Sequence, residues 1–309
     1  MAISRLGNAS APKPGVARKV SRKVTKTGLC YRLLLSRQNL SKPVSGSRNP
    51  WTSCRSTPCG ESMYCVRGNR MAVECVSGSH VAPEERFDFF WRQQGEWVEE
   101  PNRRRGGESG VQRVVSPNGR LLYSKRQTGH IYRSWLHPFG RPTVLRERDA
   151  LKGLRSLDVR VPELVFCGAR RDPEHQWKAL LVTASLDGFD EIENWYAAGG
   201  REQYGELVHE RMLKELAGTL ARMHKGRWQH GCLYIKHIFV RVTGEGDSAK
   251  VEVALLDFEK CRQRLTAYRA ASHDMLQLRR HSSWNSTDWE KLSYFYETAF
   301  GSAIKGLSR

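Results

Sequence analysis

The sequence predicts an α+β fold of two unequal lobes, a small β-rich lobe with one helix followed by a larger, mainly helical lobe. Three observations carry that expectation. β-rich runs flank a single helical pattern over 142–157. The strongest helical stripe comes later, at 206–224, with Leu213, Leu216, Leu220 and Met223 on one side and Gly226 past its end. A polar loop from Gln229 to His237 then precedes an apolar run over 250–256 that stops at Asp257.

Residues 1–70 stand apart from that pattern. They carry 14 Lys and Arg against a single acid, Glu61, and contain ten Ser but no Asp, His or Phe. Neither helical nor alternating periodicity is sustained, which predicts a disordered basic extension. The other reading is an over-extended start, with native synthesis from Met71. Cys30, Cys54, Cys59 and Cys65 lack the paired spacing of a zinc site. The formal net charge is +19, yet residues 71–309 hold 37 bases against 31 acids. The body is thus only mildly basic, and no nucleic-acid partner is expected. The segment's longest apolar run, Leu33-Leu34-Leu35, is too short for a membrane span or signal core. Cys75, Cys167, Cys232 and Cys261 are widely separated, consistent with a reducing, cytoplasmic setting. One domain is expected over 71–309, its small lobe at about 85–184 and its large lobe at about 189–309.

Within that domain, residues 84–97 mix acids with Phe87, Phe89, Phe90, Trp91 and Trp97, predicting a short amphipathic helix. A Gly-rich stretch from Arg103 to Gly110 precedes the run Val111–Val115. A turn at Pro117-Asn118-Gly119 leads to Leu121–Lys125, and the two runs predict a hairpin. Gly107 and Gly110 are candidates for letting backbone N–H groups approach a phosphate. The helix over 142–157 carries Glu147. Two β-rich runs follow, 161–167 and 179–183, the second leaving through Ala184-Ser185-Leu186-Asp187-Gly188, a polar exit suited to a connection between lobes. Beyond Asp257, a turn over 260–264 leads to a helix around Asp274. A last helix opens at Thr287-Asp288-Trp289-Glu290 with capping-box spacing.

This order resembles the two-lobed protein-kinase-like fold, with nucleotide bound between the lobes. Phosphoryl transfer depends mainly on positioning and charge neutralisation, so few side chains carry it. Lys125 would hold the phosphates and Glu147 would hold Lys125. Asp257 would bind Mg²⁺ as an oxygen ligand. His237, five positions after Cys232, falls where a second metal ligand is expected; alternatively it hydrogen-bonds Asp257 or the loop backbone. Asp274 would anchor the loop backbone as a structural residue. Cys232 occupies the place of the catalytic carboxylate, and a neutral thiol is a poor proton acceptor. His230 and Glu259 are the nearby groups that would take the proton instead, and a buried, inert thiol is the alternative for Cys232.

His230-Gly231-Cys232-Leu233-Tyr234-Ile235-Lys236-His237 is similar to the loop His-Arg-Asp-Cys-Tyr-Ile-Cys-His of the lipopolysaccharide kinase (Kdo/WaaP) family. The two histidines and the tyrosine share its spacing. Lys125-Arg126, Arg146-Glu147, Leu181-Val182-Thr183, Asp257 and Asp274 extend the resemblance over residues 85–300, toward the family's InaA-type branch. The resemblance implies ATP- and Mg²⁺-dependent transfer to a heptose or Kdo hydroxyl of the lipopolysaccharide core. It also implies a cytoplasmic location, peripheral at the inner face of the inner membrane, with Thr183 and Ser185 beside the nucleotide at the connector. The departure at Gly231-Cys232 leaves a second reading open: a catalytically impaired nucleotide binder acting as a stress-linked regulator or scaffold.

Overall fold

A computed structural model describes residues 72–75, 83–104 and 106–307. The expected basic extension over 1–70, its four cysteines and the start at Met71 lie outside the described residues. The chain runs β1 (Ala72–Cys75), α1 (Pro83–Arg92), β2 (Glu96–Arg104), β3 (Gly107–Val115), β4 (Leu121–Thr128), β5 (Ile131–Ser134), β6 (His137–Pro142) and α2 (Thr143–Arg155). It continues through β7 (Leu164–Arg171), β8 (Trp177–Ala184), β9 (Asp190–Glu191), α3 (Ile192–Ala197), α4 (Gly200–Lys225) and β10 (Trp228–Gln229). A 3-10 turn (Ile235–His237), β11 (Ile238–Thr243), β12 (Lys250–Leu255), β13 (Arg262–Gln263), α5 (Ala267–His281) and α6 (Ser286–Phe300) complete it. A sheet-based lobe thus precedes a helical one, the two-lobed kinase-like architecture that the sequence predicts.

The small lobe is one antiparallel six-stranded sheet in the order β1-β7-β8-β4-β3-β2. The predicted hairpin is β3–β4. Its turn closes with the Ser116 amide donating to the Arg120 carbonyl and the Gly119 amide to the Ser116 carbonyl, each at 2.8 Å. Gly119 takes φ +78°, where a side chain would be strained.

The first helix is shorter than predicted. It ends at Arg92, and the residues from Glu96 form a strand that the aromatic pattern hid. Gly95 permits this switch, because a Cβ there would lie 2.0 Å from the Arg113 carbonyl oxygen. Arg126 secures the helix end by donating to the carbonyls of Phe90 and Gln93, with its guanidinium 5.4 Å from the Trp91 ring centre. The fully buried Phe87 packs edge-on to Phe166 of the sheet.

Helix α2 turns its buried side, Val144, Leu145, Glu147, Ala150, Leu151 and Leu154, toward β7 and β8. No side chain of its own caps its first turn. Gln127 of β4 takes that part, its Oε1 accepting from Thr143 Oγ1 at 2.9 Å and from the Val144 amide at 3.3 Å. The same residue therefore ties the helix carrying Glu147 to the strand carrying Lys125. The hairpin β5–β6 between them was not apparent in the sequence; its tip presents Trp135 and Leu136 to solvent.

In the large lobe, α4 packs on α6 and β12. Gly205, at φ +81°, breaks its first turns, so the regular run begins at Glu206, where the apolar stripe begins. The α6 cap differs from the expected Thr287–Glu290 box. Asn285 caps the helix, accepting from the Asp288 amide at 2.8 Å and donating its own amide to the Asp288 carboxylate at 2.9 Å. Thr287 and Glu290 lie inside the helix, because the reciprocal pair forms two positions earlier. None of the described helices is long and apolar enough to cross a membrane.

Candidate active site

A cleft of about 680 Å³, partly open to solvent, lies between the lobes. Lys125, Glu147 and Thr183 line it from the small lobe, Ser185 from the connector, and Asp257 and Phe258 from the large lobe.

Lys125 sits mid-strand, paired in register with Val111 on one side and Leu181 on the other. Its Nζ lies 2.9 Å from Glu147 Oε2 and 2.9 Å from Glu259 Oε2. Burial pushes the Glu147 carboxyl above its ordinary range, and Lys125 pulls it back only in part. Lys125 holds the Glu259 carboxyl well below that range.

The loop from His230 to His237 is held from below by Asp274, which is fully buried. Its carboxylate accepts from the backbone amides of His230 at 2.5 Å and Gly231 at 3.0 Å, and meets His224 Nε2 at 3.3 Å. Gly231 takes φ +80°, and a Cβ there would stand 2.8 Å from the Lys260 carbonyl oxygen. Backbone geometry therefore selects glycine, where the family loop carries arginine. One turn beyond Asp274, Gln277 accepts from the Leu233 amide at 3.0 Å and donates to Tyr234 Oη at 3.3 Å. This second anchor was not anticipated, although its spacing of three residues on the helix places it beside Asp274.

His237 donates from Nδ1 to the Cys232 carbonyl at 2.8 Å, since a carbonyl can only accept. Nε2 of the neutral ring then carries a lone pair, and it faces Asp257 Oδ2 at 3.3 Å. Burial drives the His237 imidazole below its ordinary range, so the ring is neutral at pH 7. Two acceptors aimed at one point suit a cation between them, so these residues fit a divalent metal. Among the described residues no cluster of three or more His, Cys, Asp or Glu forms a closed metal site, so further ligands would come from the bound molecule or water. Asp257 itself takes φ +63°, a conformation uncommon outside glycine and invisible in the sequence.

Two other expectations meet a different geometry. His230 is fully buried behind the cleft, donating Nε2–H to the Leu256 carbonyl at 2.8 Å and stacking on His237. It stacks against the His237 ring rather than opening onto the cleft. Gly107 and Gly110 belong to β3 and do not line the cleft. A Cβ at Gly107 would clash with the Gly129 backbone at 2.7 Å, and one at Gly110 with the Trp97 ring at 2.7 Å. Close packing of the sheet accounts for both glycines. Cys232 is buried, and burial raises its thiol pKa against the opposing pull of Lys260, leaving it protonated at neutral pH.

Residues 88–296 match the model of the lipopolysaccharide kinase (Kdo/WaaP) family. The chain is 42% identical over 216 residues to Protein InaA of Escherichia coli (strain K12), covering 70% of this chain and 97% of that protein. Among solved structures, WaaP in complex with acyl carrier protein superposes with a TM-score of 0.52 at 21% identity, covering 69% of this chain and 82% of that one. That likeness supports the kinase-like fold.

Proposed function

The chain belongs to the lipopolysaccharide kinase (Kdo/WaaP) family, and from that membership we propose that it binds Mg-ATP in the cleft and transfers phosphate to a sugar hydroxyl, heptose or Kdo, of the lipopolysaccharide core. The observation that carries the reading is the pairing across the cleft, with Lys125 held by Glu147 on one wall and Asp257 facing His237 Nε2 on the other. When bound, Mg-ATP supplies the phosphoryl group and the cation that draws its charge. Lys125 would hold phosphate oxygens, with Glu147 keeping its ammonium aimed into the cleft. Asp257 and His237 would hold the cation, and Thr183 of β8 and Ser185 of the connector would border the nucleotide. The proposed acceptor implies a cytoplasmic setting, peripheral at the inner membrane.

One specific observation favours a second reading. The protonated, buried Cys232 thiol does not accept the acceptor hydroxyl's proton, which suits a nucleotide-binding regulator with little transfer. Cys232→Asp separates the two. A positioned base contributes about 10²–10⁴-fold, so transfer of labelled phosphate from Mg-ATP to core oligosaccharide is expected to rise about 100-fold over a slow wild-type rate. Absence of transfer in both proteins, with Mg-ATP still stabilising them, would leave the regulator reading. Absence of any Mg-ATP stabilisation would end both.

A further inference from the structure

Three carboxylates, Glu147, Asp257 and Glu259, gather around the Lys125 ammonium, with Lys260 acting on Asp257 and Arg146 on Glu259 from further out. The two carboxylates that touch Lys125 are not equivalent. The Glu147 side chain is 8% exposed and reaches Lys125 from the core side, whereas that of Glu259 is 28% exposed. Glu259 therefore contacts Lys125 from the more exposed side. Its other oxygen lies 3.3 Å from His130 Nε2, at the base of the β5–β6 hairpin. Its backbone is pinned separately, because Arg146 Nε donates to the Glu259 carbonyl at 2.7 Å while the Arg146 guanidinium rests 4.4 Å from the Tyr132 ring centre. The main chain at 259 is thus fixed by α2, and the side chain bridges Lys125 and His130.

A phosphate oxygen arriving at Lys125 competes with Glu259 Oε2 for its ammonium. We infer that Glu259 is a specificity-determining residue of the nucleotide site: its carboxylate occupies the phosphate seat on Lys125 and yields only to a metal-loaded polyphosphate. The inference rests on the nucleotide reading above. A bare triphosphate would add negative charge beside three carboxylates that already share the Lys125 ammonium. A cation at Asp257 and His237 offsets that repulsion, so the metal complex competes where the free nucleotide does not. A ligand without phosphates never reaches Lys125 and is indifferent to Glu259.

The test is calorimetric titration of the full chain and of Glu259→Gln and Glu259→Ala, each with Mg-ATP, with ATP in EDTA and with adenosine. Melting curves of the unliganded variants check folding, which the retained Lys125–Glu147 pair supports. Both variants are expected to bind Mg-ATP about tenfold tighter, the scale of one charged hydrogen bond released. They should also gain measurable binding of ATP in EDTA, with adenosine unchanged throughout. Unchanged Mg-ATP affinity would overturn the inference while leaving the nucleotide site intact. Weaker affinity would overturn it too, by making Glu259 a metal ligand. Should Mg-ATP bind none of the three proteins, the nucleotide reading falls and this inference with it; binding by the variants alone would support both.

Discussion

Asp257→Ala is expected to abolish magnesium-dependent stabilisation by ATP. A ligand at one hundred times its dissociation constant stabilises the folded state by about 2.7 kcal/mol. For a domain of this size that corresponds to roughly 5–10 °C in melting temperature. The aspartate is the one carboxylate facing His237 Nε2 across 3.3 Å, and without it the imidazole alone confronts the cation. Imidazole is a poor partner for Mg²⁺, which prefers oxygen. Thermal melts of wild type and variant, in Mg-ATP and in ATP with EDTA, read the effect directly. A shift of equal size in the two proteins would remove Asp257 from any metal role. The unliganded variant should melt at or slightly below the wild-type temperature, because the substitution removes a carboxylate that, against burial, His237 and Lys125 hold below its ordinary range, and alanine tolerates φ +63° less well than aspartate.

Asp274→Ala should have the largest effect on stability itself. The carboxylate is fully buried and accepts from two consecutive backbone amides, His230 and Gly231, while meeting His224 and His273. Removing it leaves buried donors without an acceptor, and breaking such a network costs about 3–5 kcal/mol. Urea unfolding measures the loss, and a change under about 1 kcal/mol would show that the loop does not depend on this anchor. The pH dependence follows from the same contacts. Burial opposes ionisation of Asp274, but hydrogen bonds from His224 and His273 outweigh it and hold the folded carboxyl below its ordinary value. A depressed folded value means that the contribution is complete above the unfolded value, about pH 3.9. It is lost as pH falls from there through the folded value. Asp274→Asn should therefore flatten the acid limb of the stability profile below about pH 4.

Much of this architecture was legible in the residues. The hairpin at Pro117-Asn118-Gly119, the helix carrying Glu147 and the stripe from Leu213 to Met223 all follow local rules of turn chemistry and periodicity, and the structure contains each. The errors fall where a distant partner decides. Glu96 and Trp97 fall within the helix expected over 84–97, yet they open a strand because β3 offers an edge and Gly95 lets the chain reach it. Thr287 and Glu290 have the right spacing for a cap, but Asn285 accepts from the Asp288 amide and starts the helix two positions earlier. The hairpin at 131–142 has no turn signal beyond its own closure and went unseen.

The order of chemical groups along the chain, and with it the two-lobed fold, the Lys125–Glu147 pair and the Asp257–His237 pair, was determined by sequence alone, because each of these rests on residue type at a fixed spacing. Tertiary structure decided which way those groups face. It turned His230 away from the cleft toward the Leu256 carbonyl, placed Gly107 and Gly110 against neighbouring backbone and brought Glu259 onto Lys125. Spacing records which atoms a segment carries, whereas orientation depends on packing and hydrogen-bond partners contributed by other segments of the chain. Those contacts exist only once the chain has folded.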